Sequence, residues 1–171
     1  MPETKETLMT TCSSTTLHRL EVQGFASVDP AWLAEVSPWL RWSPALCAMF
    51  AAIGTATASP PILLALAGTA LLGALLPFHP FDLIYNYGIR FIVRKRPLPP
   101  NRAPRRFSCG IAAVWLASTA AIFWSGEMAL AYVLGILFVA VAVLVSTTDI
   151  CIPSLMYQFL CRLSHTKPVA P

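Results

Sequence analysis

Residues 107–148 read FSCGIAAVWLASTAAIFW-SGE-MALAYVLGILFVAVAVLVSTT, and this stretch decides the fold. Two apolar runs, Phe107–Trp124 and Met128–Thr148, flank the tripeptide Ser125-Gly126-Glu127. Neither run contains Asp, Glu, Lys, Arg or His. Crossing a hydrocarbon core of ~30 Å takes ~20 apolar residues in a helix. The stretch therefore reads as two membrane-spanning helices joined by a tight hairpin, with Asp149 marking the exit.

The rest of the chain agrees with this reading. Hydrophobic residues make up 56% of the 171 positions, charged residues 12%, and mean hydropathy is +0.64. Soluble domains carry ~25% charged residues. Too few charges remain here to cover a soluble globule, and a disordered chain would need low hydrophobicity and high charge. Upstream, Ser43–Ser59 and Ile62–Leu76 form a second, shorter hairpin turned by Ser59-Pro60-Pro61 and closed by Pro77. Counting back to Trp39 brings its first run to spanning length, with Arg41 snorkelling to the interface.

The segments outside the spans carry the polar residues. Residues 1–28 read as a mobile tail, and 164–171 as a second tail. Residues 1–16 lack the apolar core of a cleaved signal. Asp29-Pro30 starts a short helix whose Trp32, Leu33, Val36, Trp39 and Leu40 recur at helical spacing. Phe81–Val93 and Cys151–Leu163 read as amphipathic helices lying in the interface. Between them, Pro97-Leu98-Pro99-Pro100 and Pro104 form a stiff loop; its PxxP spacing is that of an SH3-type ligand but needs no such partner.

Orientation follows from the basic residues. All 12 Lys and Arg lie in the N-terminal region, the central connector or the C-terminal tail, seven of them between Arg90 and Arg106. Neither hairpin has one. Both termini and the connector therefore belong in the cytoplasm, and the chain in the cell (inner) membrane as a multi-pass protein. Basic residues that punctuate apolar runs are a topology signal, not the surface patch of a nucleic-acid binder.

The chain also reads as duplicated. Arg41-Trp42-Ser43-Pro44-Ala45-Leu46 matches Arg106-Phe107-Ser108-Cys109-Gly110-Ile111, 65 positions on. Leu83-Ile84-Tyr85-Asn86-Tyr87 with Arg90 matches Leu155-Met156-Tyr157-Gln158-Phe159 with Arg162, 72 positions on. The fold expected is all-α: four transmembrane helices in a 29–163 membrane domain. They form two parallel hairpin repeats, 41–93 and 106–163, each followed by an interfacial helix. Entering from one side, the halves would be related by a pseudo-two-fold along the membrane normal. The repeats would set Arg41, Arg106, Arg90, Arg162, Tyr85, Tyr157, Asn86 and Gln158 in a polar ring at the cytoplasmic surface. Such a ring either binds lipid headgroups or anchors the bundle by pairing with Asp82, Asp149 or helix C-terminal carbonyls. Anchoring is the preferred reading.

These features resemble a bacterial membrane family known only as domain-of-unknown-function family 4395, over about residues 36–163. The likeness rests on Arg41-Trp42 and Arg106-Phe107 opening the hairpins, on Pro80, Leu83, Tyr85 and Arg94 after the second span, and on Cys151 before Tyr157. Similar chains show Cys-x-x-Cys at that last place, whereas this one reads Cys151-Ile152-Pro153-Ser154. The resemblance implies an architecture and no activity.

Little in the sequence signals catalysis. The spans lack the ionisable groups that mark ion pathways. No phosphate loop, nucleophile elbow or metal-spaced cluster occurs, so no metal or cofactor is expected. His79 reads as an interfacial side chain. The five cysteines are odd in number and form no disulfide framework. Cys151 is the candidate reactive thiol, with Cys109 as a possible partner and Ser154 a possible donor to it. Small residues repeat every fourth position: Ala65, Thr69, Gly73; Cys109, Ala113, Ala117, Ala121; Ala131, Gly135. They read as close-packing faces. The first functional expectation is a non-catalytic accessory or scaffold protein that docks membrane partners, another copy, or lipid. The alternatives are a thiol-based redox or sulfur-handling protein and passive transport of a small solute. For the scaffold reading, Cys151 should sit among apolar neighbours.

Overall fold

A computed structural model describes residues 14–163, which form helices and no strand. Helix α1 (Ser14–Leu20) runs on into a π turn, Glu21–Phe25. Then follow α2 (Pro30–Leu40), α3 (Trp42–Ala56) and α4 (Pro60–Leu75). Next come α5 (Pro80–Val93, with a π turn at Tyr85–Ile89), α6 (Ala103–Trp124), α7 (Met128–Thr148) and α8 (Ile152–Leu163). The readings of residues 1–13 and of the 164–171 tail lie outside the described residues.

Local chemistry sets the ends. A proline stands in the first turn of α2, α4, α5 and α6, where its missing N–H costs nothing. Asp29 Oδ1 accepts from the Ala31 N–H at 3.0 Å. His79 and Asp82 form a capping box at the start of α5. Asp149, left-handed at φ 57°, terminates α7, and Gly126 (φ 84°) turns the α6–α7 hairpin.

Helix α4 lies along α6, and α3 lies along α7; these are the most extensive contacts, with the two hairpins packing internally as well. Ala51, Leu63, Leu66, Leu116, Ala120 and Ala131 are among the buried residues of this core. Gly73, Ala113, Ala131 and Gly135 are buried as small-residue packing requires. Ala65 and Ala121 are not: both face outward, and α4 packs instead through Leu63, Leu66, Ala67, Ala70 and Gly73.

The outer surface is apolar. Met49, Phe50 and Ile53 on α3, Leu71, Leu72 and Leu75 on α4, and Val133, Ile136 and Leu137 on α7 are all exposed. A contiguous coat of large exposed side chains has no place in water and suits lipid. Two helices, α6 and α7, are long and apolar enough to cross a membrane. The pair α4 and α5 passes the same test together, bent by 81° at the break between them.

A second layer closes one end of the bundle. Leu20, Phe25, Leu33, Val36, Leu40, Tyr85 and Leu98 pack into a core of their own. This corrects the tail reading of residues 1–28 over its described part. Leu20 and Phe25 are each 1% exposed, because α2, α5 and the proline-rich connector offer them an apolar cradle. The same end ties down the returning helices. Arg19 Nη1 donates to the Thr148 carbonyl at 2.7 Å, and Gln23 Nε2 to the Asp149 carbonyl at 2.8 Å. Arg41 pairs with the Asp149 carboxylate, its Nε at 3.0 Å from Oδ1. Arg106 Nε donates to the Ala74 carbonyl at 2.7 Å, and its Nη2 to Leu75. Cations thus sit at the negative ends of both α4 and α7.

Candidate functional site

Where the second layer meets the bundle, the four long helices leave a cavity of about 140 Å³. Ser43 and Cys47 of α3, Ala70 of α4, and Phe138 and Ala142 of α7 form part of its wall. Helix α6 adds Arg105, Ser108, Cys109, Ala112 and Trp115. His79, just before α5, and Cys151, just before α8, close its end. An apolar cavity of ~150 Å³ holds one benzene-sized molecule.

Three of the four described cysteines, Cys47, Cys109 and Cys151, line this one space as free thiols; Cys161 on α8 is in no disulfide either but lies outside the lining. Cys151 was expected among apolar neighbours. It is half-buried, and its Sγ lies 3.2 Å from Ser108 Oγ. Ser108 Oγ in turn meets Ser154 Oγ at 2.9 Å. The hydroxyl beside the thiol is therefore Ser108, because α8 turns Ser154 towards α6.

The polar part of the wall centres on Arg105, which is 7% exposed. Its Nη2 donates to the Leu40 carbonyl at 3.3 Å and lies 3.8 Å from Asp82 Oδ1. Its guanidinium carbon sits 5.5 Å from the Phe25 ring centroid. Nη1 is buried without a hydrogen-bond partner. Asp82, 1% exposed, is satisfied mainly from elsewhere, accepting from Ser43 Oγ and from the His79 backbone N–H at 3.3 Å. His79 is 4% exposed, which corrects its reading as an interfacial side chain. The sharp turn after Pro77 folds it inward. Burial pushes its imidazole pKa down to about 4, against the opposing pull of Asp82. The neutral ring accepts from the Phe81 N–H through Nδ1.

The polar ring is only partly assembled. Arg41 and Arg106 act as the anchors just described. Tyr85 is fully buried against Trp39, with ring centroids 4.9 Å apart, and its hydroxyl donates to the Arg96 carbonyl at 3.4 Å. The ring position expected for Tyr85 is therefore corrected: the π turn in α5 points it into the second core. Tyr157 packs on Phe107 at 5.5 Å. Arg90 lies over the Phe91 ring, and Arg162 is exposed. Asn86 Oδ1 accepts from the Leu98 N–H at 2.7 Å, and Gln158 Nε2 donates to the Val22 carbonyl at 2.9 Å. Each amide thus braces a neighbouring segment.

Arg105 and Ser108 are the site residues that the sequence alone did not single out; Asp82 was expected only as a counter-charge for the ring arginines. The one signal was the adjacency of Arg105 to Arg106. Residues one apart on a helix point in different directions, so one arginine reaches the cavity and the other a helix end. Among the described residues, no group of three or more His, Cys, Asp or Glu is placed to hold a metal ion.

An all-helical chain with lipid-suited outer faces and a small thiol-lined cavity defines a class: an apolar helical protein compatible with a membrane. Within it, the chain belongs to the family described as Domain of unknown function (DUF4395), whose match covers residues 37–162. No curated protein and no solved structure matches the chain.

Proposed function

We propose that this chain is a multi-pass protein of the cell membrane that binds a small solute in the thiol-lined cavity. On this reading α3, α4, α6 and α7 all cross the bilayer, and both termini and the connector lie in the cytoplasm. Helices α3 and α4 are short, at 15 and 16 residues. Their side-by-side packing on α7 and α6, and their exposed apolar faces, support their crossing too. The two-repeat reading draws support from paired contacts. Arg41 ties the end of α7, as Arg106 ties the end of α4. Ser43 meets Asp82, as Ser108 meets Ser154, its counterpart in the matched register.

The observation that carries the proposal is the convergence of Cys47, Cys109 and Cys151 on one cavity. Scattered filler cysteines have no reason to share a space left open. On this observation we favour the sulfur-handling reading over the scaffold reading. The test is alkylation of the full chain in detergent by iodoacetamide, with modified residues assigned by peptide mass. Cys151 should react, and Ala112→Leu, which fills the cavity, should slow it at least fivefold while Cys161 reacts unchanged. Equal Cys151 rates in the two proteins would show that the cavity does not admit small molecules.

A further inference from the structure

We infer that the cavity is an anion site: Arg105 Nη1 receives the charged end of a small monoanion whose polarisable body lies among the thiols and Trp115. This rests on the cavity reading above and names the class of solute it takes.

The argument begins with what Arg105 already does. Its Nη2 is engaged by Leu40 and faces Asp82, and one side of the guanidinium lies over Phe25. Those partners come from α2, α5 and the π turn after α1, so three elements fix one side chain. Nη1 is buried without an acceptor, in a residue that lines the cavity. A buried donor without an acceptor costs about 1–3 kcal/mol, more when it is charged. An arginine held this firmly with a donor to spare is arranged for an acceptor that comes from outside the chain.

The charge balance selects an anion. Asp82 is the arginine's counter-charge, yet it stands 3.8 Å away and already accepts from Ser43 and the His79 backbone. It is absent from the cavity wall, where Arg105 is the one charged residue. His79 adds no second cation near neutral pH, since burial pushes its pKa down to about 4, and Arg105 alone carries the positive charge of the wall. A solute in the cavity thus has Arg105 in its wall, while Asp82 lies outside the lining. Charge-assisted hydrogen bonds in such dry surroundings are strong.

Size and wall chemistry narrow the class further. A cavity of about 140 Å³ admits about six heavy atoms. Apart from Arg105, His79, Gln23 and the two serines, the wall is aliphatic, aromatic or thiol. Thiols and aromatic faces favour soft, polarisable groups, so strongly hydrated multivalent oxyanions such as sulfate are disfavoured.

Thiocyanate is the probe. Its half-protecting concentration against iodoacetamide alkylation of Cys151 is measured at constant ionic strength. Thiocyanate should protect Cys151 saturably, and its neutral isostere acetonitrile should need at least tenfold more. Arg105→Gln should raise the thiocyanate value at least tenfold, while Arg102→Gln, the same charge change at an exposed position, should leave it unaltered. Equal potency of thiocyanate and acetonitrile overturns the anion site without any variant having to fold. So does undiminished protection of Arg105→Gln. Either result leaves the cavity reading standing, since that reading fails only if Ala112→Leu does not slow Cys151.

Discussion

Gly135→Ala is expected to destabilise the folded chain by about 1–3 kcal/mol, the usual penalty for overpacking a tight contact. Gly135 lies on α7 where it crosses α3. A Cβ built there would collide with Thr55 Oγ1 and Cγ2, and would lie 3.0 Å from Thr55 Cβ. Thr55 is 5% exposed, so it has no room to turn away. The helices must then part along one of the two principal contacts of the bundle. If both helices cross the bilayer as proposed, such a contact depends on close packing, since lipid offers no hydrophobic drive to restore it. The compensating change is specific. Thr55 Oγ1 is buried without a partner, so Thr55→Ala should by itself be close to neutral, since it removes an unsatisfied hydroxyl. Combined with Gly135→Ala it should restore most of the lost stability. Thermal unfolding of the four proteins in one detergent checks the cycle. Additive losses would contradict the proposed contact.

The second large effect concerns Arg41 and Asp149. The Asp149 side chain is 5% exposed, whereas that of Arg41 is 39% exposed. Breaking a fully buried pair costs about 3–5 kcal/mol. With one partner partly in water, Arg41→Ala should cost less, about 2–3 kcal/mol. The greater part comes from a carboxylate left buried without its counter-charge. Arg41→Ala/Asp149→Asn should therefore lose at least 1 kcal/mol less than the sum of the single changes. Charge reversal of Arg41 and Arg106 together should be far more damaging than reversal of Arg94 and Lys95, both exposed in the connector. Equal stability of the two reversed proteins would contradict the anchoring role.

Much of the fold was legible because helix signals are local. Apolar runs, prolines in first turns and the Ser125-Gly126-Glu127 turn lie on the chain itself. The α7 bounds read from sequence are those of the structure, and α5 starts one residue earlier than read. What the sequence hid is tertiary. Residues 14–28 are Ser/Thr-rich at their start, and Leu20 and Phe25 gain meaning only when α2, α5 and Leu98 surround them. His79 depended on the direction of an 81° bend, which prolines permit but do not specify. The cysteines were visible singly. Their common cavity follows from the pairing of α3 with α7 and α4 with α6, and no run of residues encodes that pairing.

The proposed architecture has four crossings with both hairpins on one side. Single cysteines introduced as Ser59→Cys, Ser125→Cys and Lys95→Cys, treated with a membrane-impermeant maleimide in sealed vesicles of known orientation and assigned by peptide mass, measure this. Positions 59 and 125 should label from the same side, and position 95 only from the other. Labelling of position 59 from the side of position 95 would mean that α3 and α4 do not cross. The cavity would then lie between two spanning helices and a peripheral hairpin, contrary to the proposed architecture.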